Sequence, residues 1–205
     1  MKINTNTWNK IRYTLYSPVY DLVARYFKNS RKESIDSLGI KAGDKILIVG
    51  AGTGLDLEFL NNDVVIIATD ITASMVEQIK KRNNILNRNV QVIVMDGQAL
   101  KFENNSFDFV ILHLILAVIP DPIACIKESE RVLKRGGKIA VFDKFVHKNN
   151  TVSAFRKFTN VFTNFLFSDI TRSFETIIAN TKLIVLSDND ADFNGNFRLI
   201  KLIKK

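Results

Sequence analysis

Short apolar runs recur along the chain at residues 45–49, 64–69, 90–95, 107–112 and 138–142, most of them rich in Val and Ile. They lack the strict alternation of a strand with one wet face, so they read as strands covered on both sides. Between them, segments 55–61, 74–84 and 123–133 are helix-compatible. Strands alternating with helices predict a parallel sheet with helices on both faces. Ahead of this core, residues 7–38 read as two helical pieces broken near Ser17 and Pro18, with Tyr13, Tyr16, Tyr20, Val23, Tyr26 and Phe27 at roughly helical spacing. Beyond the core, residues 151–179 read as a long helix. Residues 182–187 and 197–203 read as late strands, and the polar stretch 188–195 between them predicts an antiparallel hairpin closing one sheet edge.

The length of 205 residues, 46% of them hydrophobic, suits one domain. Within it, residues 1–38 make an aromatic amino-terminal arm or lid, 39–149 the core, and 150–205 the helix and closing hairpin. Twenty-nine Lys and Arg against 21 Asp and Glu give a net charge of +8, so the surface attracts anions: nucleic acid, anionic lipid head groups or acidic substrates. The single Cys125 rules out an internal disulfide, and no Cys/His cluster has metal-ligand spacing. No metal is expected, and a reducing cytosol is the simplest compartment. The first residues lack the apolar core of a signal peptide, and the longest apolar stretch, 107–119, is too short to span a bilayer and contains Asp108 and His113.

Three glycines, Gly50, Gly52 and Gly54, follow the first predicted strand and precede a helix. Such a turn offers backbone N–H groups and the positive end of a helix to an electron-rich ligand. The dinucleotide fingerprint needs its third glycine one position later, where Leu55 stands, which argues against a nicotinamide oxidoreductase. The second run ends at Asp70, twenty positions after Gly50, where a carboxylate accepts from both hydroxyls of a ribose. A third run ends in Met95-Asp96-Gly97 and places another acid at the same sheet edge, suited to the amino group of an adenine. Asp70 and Asp96 are also residue types that cap helices.

These residues resemble the class I S-adenosylmethionine-dependent methyltransferases over about residues 39–143. The likeness rests on Ile-Val-Gly-Ala-Gly-Thr-Gly at 48–54, Ala-Thr-Asp-Ile-Thr at 68–72, Met-Asp-Gly-Gln-Ala at 95–99, Phe-Asp-Phe-Val at 107–110 and Leu-Lys-Arg-Gly-Gly-Lys at 133–138. It implies an α/β, Rossmann-like, seven-stranded and mostly parallel sheet with an antiparallel last strand. It also implies S-adenosyl-L-methionine as cofactor, with Gly50, Ala51, Gly52 and Gly54 against the methionyl part, Asp70 and Ile71 at the ribose, and Asp96 with Gly97 at the adenine. One departure is Ile48, where many members carry an acid two positions before the first glycine.

Methyl transfer from a sulfonium needs little acid–base chemistry when the acceptor is already nucleophilic and held in line. His113, at the end of the fourth run, is a candidate for contact with the methionyl group or for catalysis, and equally for a satisfied core histidine. The Asn/Asp-Pro-Pro-Tyr signature of many base and glutamine methyltransferases is absent. The fourth-strand neighbourhood, Asp143-Lys144-Phe145 and Ser17-Pro18-Val19-Tyr20-Asp21 resemble the small-molecule branch that includes quinone methyltransferases and soluble bacterial phosphatidylethanolamine N-methyltransferases. That resemblance implies an arm folded over the cofactor, with Tyr20 beside the sulfonium, Tyr13 or Tyr16 at the acceptor entrance, and Asp143 orienting an amine. Aromatic faces attract both the sulfonium and a methylated ammonium.

Trp8, Lys10, Arg12, Tyr13, Tyr16 and Arg25 combine interfacial aromatics with cations, and residues 155–167 would carry a broad Phe face as a helix. The expected partner is a small-molecule or lipid acceptor, with an anionic surface, at the inner face of a membrane, as a peripheral docking site. RNA modification is disfavoured because the basic residues are spread along the chain. A cofactor-binding protein without turnover is the non-enzymatic alternative, and oligomeric state is left open.

Overall fold

A computed structural model describes residues 5–11, 25–146, 171–192 and 196–205. Seven strands form one sheet: β1 (Lys45–Val49), β2 (Val65–Asp70), β3 (Val90–Val94), β4 (Phe107–His113), β5 (Leu133–Lys144), β6 (Leu183–Asp190) and β7 (Phe197–Lys204). Their order is β3-β2-β1-β4-β5-β7-β6. The first five run parallel, and β7 pairs antiparallel with both β5 and β6. The Rossmann-like sheet read from the sequence, with its antiparallel insertion, is the observed one. The helices are α1 (residues 6–11), α2 (Lys28–Asp36), α3 (Ala73–Ile85), α4 (Pro122–Val132) and α5 (Phe174–Ile178).

The weak alternation in the strands has a direct cause. Leu47, Val49, Ile67, Val110, Leu112, Ile139 and Val141 join one buried cluster, while their neighbours Ile46, Ile48, Ile66, Ala68, Phe109, Ile111 and Ala140 join another. Successive side chains leave a strand on opposite faces, and here both faces are dry, so both sets must be apolar. α4 begins where the sequence supplies its own start signal: Pro122 opens the helix and the Asp121 carboxylate accepts from the Ala124 N–H at 2.9 Å.

Three elements differ from the sequence reading. Residues 55–61 were expected to be α-helical but form a short 3₁₀ stretch, Leu55–Phe59. Gly54 in the left-handed region (φ 82°) before it and Asn61-Asn62-Asp63 after it leave no room for full turns. The polar residues Asp188–Asp190, read as turn, continue β6, because the Asp188 carboxylate receives the buried Arg198 guanidinium from the neighbouring strand at 2.5 and 3.0 Å. β5 starts at Leu133, five residues earlier than its apolar run, with Gly136 at φ 75° and a register shift between Phe107 and Phe109. Of the expected helix over 151–179, residues 174–178 are helical and 151–170 lie outside the described residues, as does the break near Ser17 and Pro18.

Candidate active site

The carboxyl ends of β1, β2 and β4 and the loop after β3 surround a cleft. Ligands of open parallel sheets bind at such a point, where the connections leave β1 and β4 toward opposite sides. Gly50, Gly52, Asp70, Ile71, Asp96 and Gly97 all line it. Ala51 and Gly54 stand behind the lining: the Ala51 N–H donates to the Thr69 carbonyl at 2.8 Å, stitching the turn to β2, and Gly54 opens the 3₁₀ stretch.

Gly50, Gly52 and Gly54 all have positive φ (66°, 56° and 82°), so the turn depends on residues without a side-chain penalty there. At Gly50 the close approach comes from the protein itself. A Cβ would lie 2.3 Å from Ile115 Cδ1, so the cleft wall after β4 packs directly on this backbone. Gly50→Ala is therefore expected to lower stability by about 1–2 kcal/mol through its left-handed φ alone, and further through the Ile115 clash. Thermal denaturation checks this, with Ile115→Ala in the same chain restoring the clash component.

Asp70 holds the turn in place. Its Oδ2 accepts from the Gly52 N–H and its Oδ1 from the Thr72 N–H, each at 2.9 Å. Burial pushes its carboxyl up to about 6, against those same hydrogen bonds, which pull it down. A carboxylate accepts about four hydrogen bonds, so each oxygen keeps capacity for one hydroxyl of a diol. Met75, Met95 and Ile119 supply apolar walls in the same cleft. Acceptor capacity and apolar surface together fit the ribose and adenine of S-adenosylmethionine.

Asp96 is held by a set of amides. Gln98 donates to it from its backbone N–H (2.9 Å) and from its side chain (2.9 and 3.1 Å), and Asn6 Nδ2 of α1 donates at 2.6 Å. α1 lies at the cleft through two asparagines one turn apart: Asn9 Nδ2 donates to the Val118 carbonyl at 3.0 Å. Nothing in the local sequence marks Asn6 or Asn9, because their partners lie 90 and 109 residues away.

His113 occupies a different place from the crevice expected for it. Its ring is buried, with Nδ1 2.8 Å from Asp56 Oδ1 and Nε2 3.0 Å from Ser34 Oγ. Both nitrogens are engaged, and the cleft lining passes instead through the next residue, Leu114, at φ 57°. The buried Arg31 guanidinium of α2 donates to the same Asp56 oxygen at 2.8 Å. Burial alone would raise the Asp56 carboxyl, but Arg31 and His113 outweigh it and hold that group well below the usual carboxylate range. The four side chains tie α2 to the glycine turn and to the end of β4.

Asp143 is also buried and faces backbone: its Oδ2 accepts from the Ala117 N–H at 2.9 Å and its Oδ1 from the Lys144 N–H at 2.8 Å. Burial raises its carboxyl to about 6. Arg172 grips the same loop by donating to the carbonyls of Leu116 and Ile119. The Ile115–Ile119 wall is thus fixed by an acid on one side and a guanidinium on the other. Tyr20, with Tyr13 and Tyr16, lies outside the described residues. Among the described residues no group of three His, Cys, Asp or Glu is arranged to hold a metal ion, and no helix is long and apolar enough to cross a membrane.

A sheet of this order, with a glycine turn after β1 and an acid at the end of β2, is the frame of the class I S-adenosylmethionine-dependent methyltransferases, which the chain resembles. Residues 47–141 match the family described as methyltransferase domain. The chain is 24% identical over 165 residues to a phosphatidylethanolamine N-methyltransferase of Cereibacter sphaeroides, covering 80% of this chain and 81% of that protein. It is 33% identical over 120 residues to a demethylmenaquinone methyltransferase of Staphylococcus saprophyticus, covering 57% of this chain and 51% of that protein; it thus spans about half the length of that relative. In fold it is similar to a SAM-dependent methyltransferase from Aquifex aeolicus, with a TM-score of 0.64, 18% identity, and coverage of 84% of this chain and 89% of that one. The chain is an enzyme of methyl transfer whose cofactor is S-adenosylmethionine.

Proposed function

We propose that the acceptor is a lipid-borne nucleophile, first of all the amine of a phosphatidylethanolamine-type head group. The observation that carries this reading is the extent of the likeness. Similarity to the phosphatidylethanolamine N-methyltransferase runs over four fifths of both chains, beyond the cofactor-binding residues that the whole family shares. The quinone reading is favoured by the higher identity to the demethylmenaquinone methyltransferase, over a shorter span.

The cofactor supplies an electrophilic methyl group on a sulfonium. The protein residues then have two tasks: Asp70 and the glycine turn fix the cofactor, and the apolar wall of Leu114, Ile115, Val118 and Ile119 excludes water where the acceptor enters. The acidic side chains in the lining, Asp70 and Asp96, are held by backbone or amide donors and turn their remaining acceptor capacity to the cofactor, so the acceptor brings its own lone pair. A primary amine does so once its ammonium has lost a proton to water: its nitrogen then takes the methyl as the sulfonium S–C bond breaks, leaving an N-methylammonium and a thioether. The net charge of +8 supports docking at an anionic membrane surface, where such a head group is presented.

The test offers methyl-labelled S-adenosylmethionine with vesicles of phosphatidylethanolamine and an anionic lipid, with a demethylated quinone in the same vesicles, and with total RNA. Label in the mono- or dimethylated phospholipid is the expected result. Label in the quinone assigns the second reading, and label confined to RNA overturns both.

A further inference from the structure

We propose that Asn6 of α1 is a cofactor-specificity residue that completes recognition of the adenine edge and thereby couples docking of the amino-terminal arm to cofactor binding. This rests on the cleft being the S-adenosylmethionine site.

The helix carrying Asn6 is packed in an unusual sense. Among its described residues the buried one is polar, Asn9 at 4% exposure, while Ile11 is 50% exposed. A helix docked for stability alone would bury the isoleucine. Instead it presents two carboxamides, at positions i and i+3 on one face, to opposite walls of the cleft: Asn6 to Asp96 and Asn9 to the Val118 carbonyl. Both asparagines line the cleft.

The orientation of the Asn6 amide is set by its surroundings. The Asp121 N–H donates to Gln98 Oε1 at 2.8 Å, which turns Gln98 Nε2 toward Asp96 and toward Asn6 Oδ1 at 3.1 Å. Asn6 therefore receives at its oxygen and donates from its nitrogen to Asp96 Oδ2. Gln98 Nε2 is shared between both Asp96 oxygens, at 2.9 and 3.1 Å, so Oδ2 retains capacity for a further donor. An adenine presents an amino donor beside a ring-nitrogen acceptor, a pattern that a carboxylate and a carboxamide together complement. A hypoxanthine ring, with oxygen in place of that amino group, sets an acceptor against Asp96 and is rejected. Among the described residues, α1 reaches the cleft walls through these two side-chain hydrogen bonds, with Trp8 half-buried between them. Any ligand that strengthens one end of the Asn6–Asp96 contact favours the docked arm, and the docked arm favours the ligand by the same factor.

Trp8 sits between the two asparagines and is the only tryptophan of the chain, so its fluorescence reports the arm directly. The full-length protein is titrated with S-adenosylmethionine and with the analogue bearing hypoxanthine in place of adenine, following Trp8 emission and, independently, binding heat. Wild type is expected to shift Trp8 emission on binding and to prefer the adenine ligand. Asn6→Ala is expected to raise the Kd for S-adenosylmethionine about tenfold, and to narrow the preference over the analogue. Asn9→Ala, which loosens the arm without touching Asp96, is expected to weaken the Trp8 response while keeping the base preference. Asn6→Ala with a Kd within roughly twofold of wild type and an unchanged preference overturns the proposal. Absence of any binding heat in wild type refutes instead the reading of the cleft on which the proposal rests.

Discussion

Asp70→Ala is expected to weaken S-adenosylmethionine binding by about a hundredfold or more, since two hydrogen bonds to a buried carboxylate are each worth roughly 1.5–3 kcal/mol. The same substitution frees the Gly52 and Thr72 N–H groups, so Asp70→Asn is the more selective variant: it keeps the side chain's shape and one acceptor oxygen. Calorimetric titration separates the two. Ionisation of Asp70 adds a pH signature. A proton on this carboxyl competes with the diol, and burial has raised its value to about 6. Affinity should therefore be full above that pH and fall by up to about tenfold per unit below it, a slope that Asp70→Asn removes. The effect on stability has the opposite sign. For a carboxyl raised from 3.8 to about 6, the neutral form favours the fold, so its contribution is fully present below 3.8 and lost as pH rises through about 6. Asp143, raised to the same value by burial, behaves alike. An affinity that is flat from pH 5 to 8 would contradict the ribose assignment.

Asp56→Ala is expected to cost about 3–5 kcal/mol of folding stability, because it removes the buried carboxylate that faces the Arg31 guanidinium at 2.8 Å. Arg31 and Asp56 are both nearly inaccessible, with side-chain exposures of 5% and 2%. His113 loses its Nδ1 partner in the same step. Chemical denaturation measures the loss, and the double variant Arg31→Met with Asp56→Leu should recover most of it, since an apolar pair of similar volume avoids the desolvation cost. A His113→Asn variant distinguishes strut from catalyst. A histidine that only positions α2 and the glycine turn should alter stability and cofactor KM together. A large fall in kcat with both unchanged would return it to the reaction.

The sheet was legible in the sequence because its burial is two-sided: a strand such as Lys45–Val49 needs apolar residues at successive positions, and little else produces short Val- and Ile-rich runs at regular intervals. The glycine turn and Asp70 were legible for a related reason, since backbone conformation and a strand end fix them locally. Contacts that join distant segments left no local trace. Arg31 meets Asp56 across 25 residues and Asn6 meets Asp96 across 90, so neither the buried network nor the amide face of α1 has a period or motif. His113 illustrates the limit: its position at the end of β4 placed it near the crevice, but its direction depended on Asp56 and Ser34. Asp188 shows the same dependence, being turn-like by type and strand by virtue of Arg198.

The insertion of β7 between β5 and β6 has a consequence for synthesis. β6 emerges from the ribosome before the strand that joins it to the sheet, and it has no edge to pair with until residues up to Lys204 are available. During that interval β5 presents an open edge, and the buried face of Ile200 and Leu202 is missing from the core. The nascent chain therefore passes late through a state in which most of the sheet is made but unsealed, the stage at which a chaperone would be engaged.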